Sequence, residues 1–216
     1  MNLNIYLITD DRYFKGRDLL QTLEKAMEGG ITALQYRFKG KGTKEMYEEL
    51  LQIRELTKRY GVELVVNDRV DLALAVEADG VHVGKGDLPP TAVRKVVGDK
   101  LYVGYTVNSL EELKAAQDLP VDYLGFGAIY PTTTKEDYEL VGVEALREAV
   151  RISQKPVVCI GGIMPYRVEE VIKAGCRNLA ISAGILGFED VKKATEEIKR
   201  AYSKALKQLL LLGKTQ

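Results

Sequence analysis

The sequence predicts an α/β chain folded as a (β/α)8 TIM barrel, and three observations carry that reading. Eight short apolar runs recur along the chain, each followed by a longer amphipathic stretch. The runs are nearly all apolar rather than alternating, as strands covered on both faces are. The chain has 216 residues with its 6 prolines and 20 glycines scattered, so eight βα units fill it and no linker divides it. An open doubly wound sheet shares the same alternation; the residues that follow each strand, taken below, favour the barrel. The whole of 1–216 is therefore read as a single domain. The tail 205–216, with Leu209 to Leu212 before Gly213, is read as extending the last helix or packing on a partner chain.

Taken in order, the expected strands are NIYLIT (4–9), ITALQY (31–36), ELVV (63–66), GVHV (80–83), LYVGY (101–105), DYLGFG (122–127), PVVCIG (156–161) and NLAISA (178–183). Helices are expected between them. The stretch 17–28 carries Leu19, Leu20, Leu23 and Met27 at helical spacing, and Gly29-Gly30 stops it. The stretch 43–60 sets Met46, Leu50, Leu51 and Leu56 among charges. The others are 69–77, 90–97, 109–117, 143–153, 166–174 and 188–208. Ser109 with Glu112 three residues on matches a capping box, and Pro165 suits a first helical turn.

A barrel collects its chemistry at the C-terminal ends of its strands. After the second strand come Gln35, Tyr36, Arg37, Phe38 and Lys39; alternation puts Gln35, Arg37 and Lys39 on one side. An amide and two cations there suit a polar ring and an anion such as phosphate; the alternative is a pair of solvated loop charges. Asn67, Asp68 and Asp71 follow the third strand, and Lys85, Gly86 and Asp87 the fourth. Asp68 and Asp87, on adjacent strand ends, can meet over one cation, and hard oxygen ligands without His or Cys favour Mg²⁺. The alternatives are a helix N-cap for Asp68 and a first-turn acid for Asp71.

Thr106 after the fifth strand binds phosphate or caps the next helix. Thr132, Thr133, Thr134 and Lys135 after the sixth form the densest anion-ready cluster, unless they are a solvated turn. Gly161-Gly162 follows the seventh strand, and Ile181-Ser182-Ala183-Gly184 the eighth. Glycines let backbone N–H groups approach a phosphate, and barrels often bind one at these two loops. His82 is the only histidine, so no acid–base dyad built on a histidine pair is expected, and it is read as a packed, hydrogen-bonded strand residue.

Composition limits the function classes. Lys plus Arg is 31 and Asp plus Glu is 31, a formal net charge of zero, which argues against broad nucleic-acid binding. No apolar run is long enough to span a membrane. The start, MNLNIYLITDD, has neither a basic n-region nor a small-residue cleavage site. Cys159 and Cys176 fit no CxxC pattern and read as buried free thiols. A cytoplasmic protein acting on small molecules, without nucleic acid or membrane, is expected, and a homo-oligomer stays open.

YLITD, QYRFK, VNDRVDLAL, ADGVHVG with a later Asp, GAIYPTTTK, CIGGI and AGCRNLAIS resemble, in order and spacing, the thiamine-phosphate synthase (thiamine-phosphate pyrophosphorylase) family. The resemblance runs from Tyr6 to about Gly187. It implies a transferase that joins a pyrimidine-methyl diphosphate to a thiazole phosphate, or its carboxylated form, releasing pyrophosphate. It also implies that Gln35, Tyr36, Arg37, Phe38, Lys39, Asn67, Thr106 and Lys135 contact the pyrimidine diphosphate, and that Arg37, Lys39 and Lys135 act on the departing diphosphate. Thr132, Thr133, Thr134, Gly162, Ile181 and Ser182 would hold the thiazole phosphate, and Asp68 and Asp87 would hold Mg²⁺. The sequence departs from the family at Lys85-Gly86, often Gln-Glu; at Phe38, usually acidic; at Thr106, commonly Ser; and at Met164 and Arg167, often small and polar. Lys85 is expected to add a cation near the metal. Two further readings are a thiazole tautomerase on the same barrel, which lacks the full metal and diphosphate set, and a non-catalytic phosphometabolite-binding barrel.

Overall fold

Eight parallel strands close on themselves in chain order, with β8 returning to β1. The computed structural model describes residues 1–133 and 137–213. The strands are β1 (Ile5–Ile8), β2 (Ala33–Tyr36), β3 (Glu63–Asn67), β4 (Gly80–Val83), β5 (Tyr102–Val107), β6 (Tyr123–Phe126), β7 (Val157–Cys159) and β8 (Asn178–Ile181). All eight expected strands form, and most are trimmed at their ends. β4 keeps its expected limits, and two strands run on: β3 through Asn67 and β5 through Thr106 and Val107, so Asn67 and Thr106 sit on strands rather than after them.

The helices are α1 (Leu19–Gly29), α2 (Thr43–Tyr60), α3 (Val70–Ala75), α4 (Pro90–Val97), α5 (Leu110–Ala115), α6 (Gly142–Ile152), α7 (Val168–Lys173), α8 (Ala183–Leu186) and α9 (Val191–Gly213). Asp18 caps α1 by accepting from the Gln21 N–H, and Gly30 ends it in the left-handed region at φ 115°. The expected box at α5 forms in a shifted version. The Ser109 hydroxyl accepts from Glu112 N–H at 3.0 Å, while the Glu112 carboxylate accepts from Asn108 N–H rather than Ser109's. Three expectations are corrected. Arg69, not Asp68, occupies the N-cap of α3. The one-turn helix α8 follows β8 directly, too short to show a helical period. The last helix begins at Val191 and runs to Gly213.

Two hydrophobic layers hold the barrel. The outer one packs strand residues such as Leu7, Leu34, Leu64, Val81 and Leu124 against the helices. The inner one, Leu3, Tyr6, Ala33, Val65, Tyr123, Val158 and Ala180, fills the barrel's interior. Alternation along each strand separates the two sets. Tyr123 fits inside because a glycine faces it: a Cβ on Gly104 would lie 2.0 Å from its ring, and one on Gly80 would lie 2.3 Å from the Tyr102 ring.

At the strands' N-terminal ends, two matching clamps pin helices to strands. Arg54 of α2 grips Asp79 with two bonds of 2.8 and 3.1 Å, and Asp79 accepts the Leu64 N–H of β3. Arg94 of α4 grips Asp122 at 2.7 Å, and Asp122 accepts the Val103 N–H of β5. Each clamp ties one helix to two neighbouring strands. Among the described residues no helix is long and apolar enough to cross a membrane, and both cysteines are free and buried.

Candidate active site

A cavity of about 1180 Å³ opens at the C-terminal ends of the strands. Its wall includes Gln35, Tyr36, Arg37, Phe38, Lys39, Asn67, Asp68, Asp87, Thr106, Thr132, Thr133, Gly162, Ile181 and Ser182. Every expected site residue that is described therefore lies on one mouth. Thr134 and Lys135 lie outside the described residues.

The second strand's end splits as alternation requires. Gln35 points into the barrel and donates from Nε2 to the Tyr6 hydroxyl at 2.9 Å. Tyr36 points the other way, and its hydroxyl donates to Glu49 of α2 at 2.5 Å. What Tyr36 offers the mouth is backbone. Phe38 packs on Tyr36 and Phe14 with ring centroids 4.8 and 5.6 Å away, and Lys41 lies 3.9 Å over its ring. An aromatic shelf thus stands where an acid is usual in the family resembled.

The cations of the mouth fall into two groups. Lys41 is paired with Glu49 at 2.8 Å, Arg69 with Asp71 at 2.7 Å and Lys85 with Glu112 at 2.8 Å. Among the described residues, Arg37 and Lys39 have no carboxylate within ion-pair distance, although Asp11 accepts the Lys39 backbone N–H at 3.3 Å. Arg167 on the same wall also lacks a carboxylate partner among the described residues but is turned to the Gly162 carbonyl, which leaves Arg37 and Lys39 for an anionic ligand. Lys85, expected beside the metal carboxylates, is neutralised by α5 instead, and its ammonium pKa is raised first by that hydrogen bond.

Asp68 and Asp87 meet. The Asp68 carboxyl pKa is raised, first by burial and then by the Asp87 charge and a hydrogen bond between the two. Asp68 also sits in the left-handed region at φ 64°, unusual for a residue other than glycine or asparagine. Asp87 is fixed by accepting the Gly84 N–H at 2.8 Å. The Asp71 carboxyl pKa, by contrast, is lowered first by its hydrogen bond from Arg69, and Asp71 stands in the first turn of α3 as the first-turn acid the sequence suggested. Among the described residues no cluster of three or more His, Cys, Asp or Glu side chains could hold a metal. A cation over Asp68 and Asp87 would complete its shell with water and phosphate oxygens, as Mg²⁺ does. Two crowded carboxylates facing a cavity fit such an ion.

Opposite them lie the glycine loops. Gly161 and Gly162 adopt φ of 102° and 66°, and a Cβ on Gly162 would stand 2.6 Å from the Pro131 carbonyl oxygen. Only glycine gives this tight approach between the loops after β6 and β7. Ser182, which the resemblance gives to the thiazole phosphate, turns its hydroxyl away from the mouth: Oγ donates to the Ile8 carbonyl at 2.8 Å. Its N–H, at the start of α8, is what remains for an anion.

Sequence reasoning missed the role of two groups. Arg167 lies over the Tyr130 and Tyr166 rings at 4.5 and 5.1 Å and donates to the Gly162 carbonyl at 2.7 Å, so it braces the glycine turn. A cation five residues after Gly162 was its only trace in the sequence. The second group is the tyrosine pair inside the barrel. Tyr6 and Tyr123 bond hydroxyl to hydroxyl at 2.9 Å, and Tyr123 reaches His82 Nδ1 at 2.7 Å. His82 Nε2 reaches Thr106 Oγ1 at 2.6 Å. Burial pushes both tyrosine hydroxyls upward in pKa, so they stay protonated. The packed, hydrogen-bonded histidine expected from the sequence is thus present, and it leads to the cavity wall.

The family model described as thiamine monophosphate synthase matches residues 5–185. Thiamine-phosphate synthase 1 of Aquifex aeolicus (strain VF5) is 72% identical over 214 residues, covering 99% of this chain and 100% of that protein. Thiamine-phosphate synthase of Hydrogenobaculum sp. (strain Y04AAS1) is 52% identical over 205 residues, covering 95% and 96%. Among solved structures, thiamine phosphate pyrophosphorylase from Pyrococcus furiosus superposes with a TM-score of 0.86 at 40% identity, covering 95% of this chain and 100% of that one. A 3-hexulose-6-phosphate synthase, 18% identical with a TM-score of 0.65 over 91% and 98% of the two chains, shares the fold alone.

Proposed function

The chain belongs to the thiamine monophosphate synthase family, and from that membership we infer how its barrel mouth works. The chain is a transferase. It joins a pyrimidine-methyl diphosphate to a thiazole phosphate, forming thiamine phosphate and releasing pyrophosphate. The observation that carries the site assignment is the set on one cavity wall: two crowded carboxylates, Asp68 and Asp87, and two cations, Arg37 and Lys39, with no carboxylate partner among the described residues. A tautomerase has no use for that set, and a passive binder has no need of it.

In the reaction the bond from the pyrimidine methylene to the diphosphate oxygen breaks with its electron pair staying on the diphosphate. The thiazole nitrogen donates its lone pair to the same carbon. That nitrogen carries no proton, so no general base is needed, in keeping with a single histidine that faces tyrosine and threonine. The demand is to stabilise charge that grows on the leaving group. Arg37 and Lys39 supply fixed positive charge there, and Lys135 is assigned to the same task from the sequence. Mg²⁺ held by Asp68 and Asp87 would neutralise part of the diphosphate charge. Gln35 and Asn67 orient the pyrimidine end, and Thr106 binds the diphosphate. Thr132, Thr133 and Thr134, the Gly162 turn, Ile181 and the Ser182 N–H hold the thiazole phosphate. The two rings then meet in a confined mouth, where positioning supplies much of the rate.

We place the activity in the cytoplasm, with the whole chain acting as one barrel domain. The free, buried thiols agree with a reducing compartment. The test is release of pyrophosphate from purified protein given both substrates. Release that needs both substrates and Mg²⁺ supports the reading. Conversion of the thiazole phosphate alone, or binding without release, overturns it.

A further inference from the structure

We propose that Tyr6, Tyr123 and His82 form a one-way hydrogen-bond relay through the barrel interior, acting as positioning residues that fix which atoms Gln35 and Thr106 present to substrate. The proposal rests on the site reading above. The chain of contacts runs Gln35 Nε2 to Tyr6 OH at 2.9 Å, Tyr6 OH to Tyr123 OH at 2.9 Å, Tyr123 OH to His82 Nδ1 at 2.7 Å, and His82 Nε2 to Thr106 Oγ1 at 2.6 Å. It crosses from β2 through β1, β6 and β4 to β5 and touches the cavity wall at both ends.

Donor counting gives the relay its direction. An amide nitrogen only donates, so the Tyr6 oxygen accepts from Gln35. Tyr6 then gives its own proton to Tyr123, Tyr123 gives its proton to His82 Nδ1, and His82 donates from Nε2–H to Thr106. All four contacts are satisfied. The opposite order needs the Gln35 amide turned so that its Oε1 accepts from Tyr6; with Nε2 facing Tyr6, a proton given by Tyr123 to Tyr6 would leave the Tyr6 proton without an acceptor among these contacts, at a residue only 1% exposed. The order that works leaves two groups for the cavity: the Gln35 carbonyl oxygen, an acceptor, and the Thr106 O–H, a donor. An acceptor suits an N–H donor on the pyrimidine, and a donor suits a phosphate oxygen. Reversing the relay would present the wrong partner at both ends at once. The relay therefore links recognition of the ring to recognition of the diphosphate.

The interior is shaped for it. A Cβ on Gly104 would meet the Tyr123 hydroxyl at 2.3 Å, and one on Gly125 would lie 3.5 Å from both His82 Cε1 and Thr106 Oγ1. The His82 and Tyr123 rings stack with centroids 5.5 Å apart. A purely apolar filling would have sealed the barrel with less risk, because every buried polar group here needs a partner.

His82 is the only histidine, so its two ring nitrogens give unambiguous ¹⁵N signals in the whole protein. The expected spectrum is that of the Nε2–H tautomer, with Nδ1 unprotonated. Gln35→Met should move those signals toward a mixture of tautomers, although three hydrogen bonds separate the two residues. Tyr6→Phe and Tyr123→Phe should each raise KM for the pyrimidine diphosphate about tenfold, the scale of one misdirected hydrogen bond. KM for the thiazole phosphate should stay within about twofold. An Nδ1–H tautomer in the unmodified protein overturns the relay, whether or not the Tyr variants fold. So do folded Tyr variants with unchanged KM. Absence of pyrophosphate release from the unmodified protein would instead overturn the function and leave the tautomer result standing.

Discussion

At the residue scale, what separates a working cation from a bystander is its partner. Lys85 follows a strand, as Lys39 does, yet it is held 2.8 Å from Glu112 while Lys39 and Arg37 have no carboxylate partner among the described residues. Lys85→Ala should therefore leave turnover within about twofold, because an exposed ion pair contributes little. Arg37→Ala should lower kcat by about 100-fold, the scale of losing one preorganised charge-stabilising group. Steady-state kinetics of the two variants make the comparison. Ser182 and Gly162 form a second contrast. The Ser182 hydroxyl serves the Ile8 carbonyl, so Ser182→Ala should cost about 1 kcal/mol of stability, read by denaturant unfolding, with little change in thiazole-phosphate affinity. Gly162→Val, forced into φ 66° and against Pro131, should abolish that affinity in a calorimetric titration. The sequence could place Ser182 at the mouth. It could not say where the hydroxyl turns, because that depends on a carbonyl 174 residues away.

At the element scale, the barrel's two ends do different work. The closed end is locked by the Arg54–Asp79 and Arg94–Asp122 clamps, which join α2 to β3 and β4, and α4 to β5 and β6. Asp79→Ala removes a two-pronged contact to Arg54 and strands the Leu64 N–H. Its expected cost is about 2–3 kcal/mol, the scale of charged hydrogen bonds lost at a partly buried pair. Urea unfolding measures that cost, while kcat should be unchanged because the clamp faces away from the mouth. The strands were legible because a strand covered on both faces is a dense apolar run, and GVHV matched its limits at 80–83. The short helix α8 was not, since four residues complete barely one turn and show no period. The clamps were also invisible: they join acids and arginines 25 and 28 residues apart, each of which reads alone as surface charge.

At the scale of the whole molecule, the pairing of β3 with β4 in the barrel brings Asp68 and Asp87 together from successive loops and makes their repulsion the feature a cation relieves. The Asp68 pKa is raised in the fold, so its protonated form favours folding below the unfolded value, and that contribution is lost as pH rises through the folded value. Mg²⁺ should recover it, so the rise in Tm on adding Mg²⁺ should be larger near about pH 8 than near about pH 5, where carboxylates begin to protonate. Scanning calorimetry at both pH values checks the sign. The list of mouth residues was largely legible because a barrel fixes where strand ends go. The interior relay was not, because Tyr6 and Tyr123 sit in strands that otherwise read as plain core. The most direct test of the account is a Mg²⁺ titration of pyrophosphate release, comparing the unmodified protein with Asp87→Asn. Asparagine keeps an acceptor for the Gly84 N–H but gives up the charge. Saturable activation by Mg²⁺ is expected in the unmodified protein, and in Asp87→Asn a turnover lower by about 100-fold or more with a much weaker Mg²⁺ response. An Asp87→Asn protein with ordinary turnover and an unchanged Mg²⁺ midpoint would contradict it.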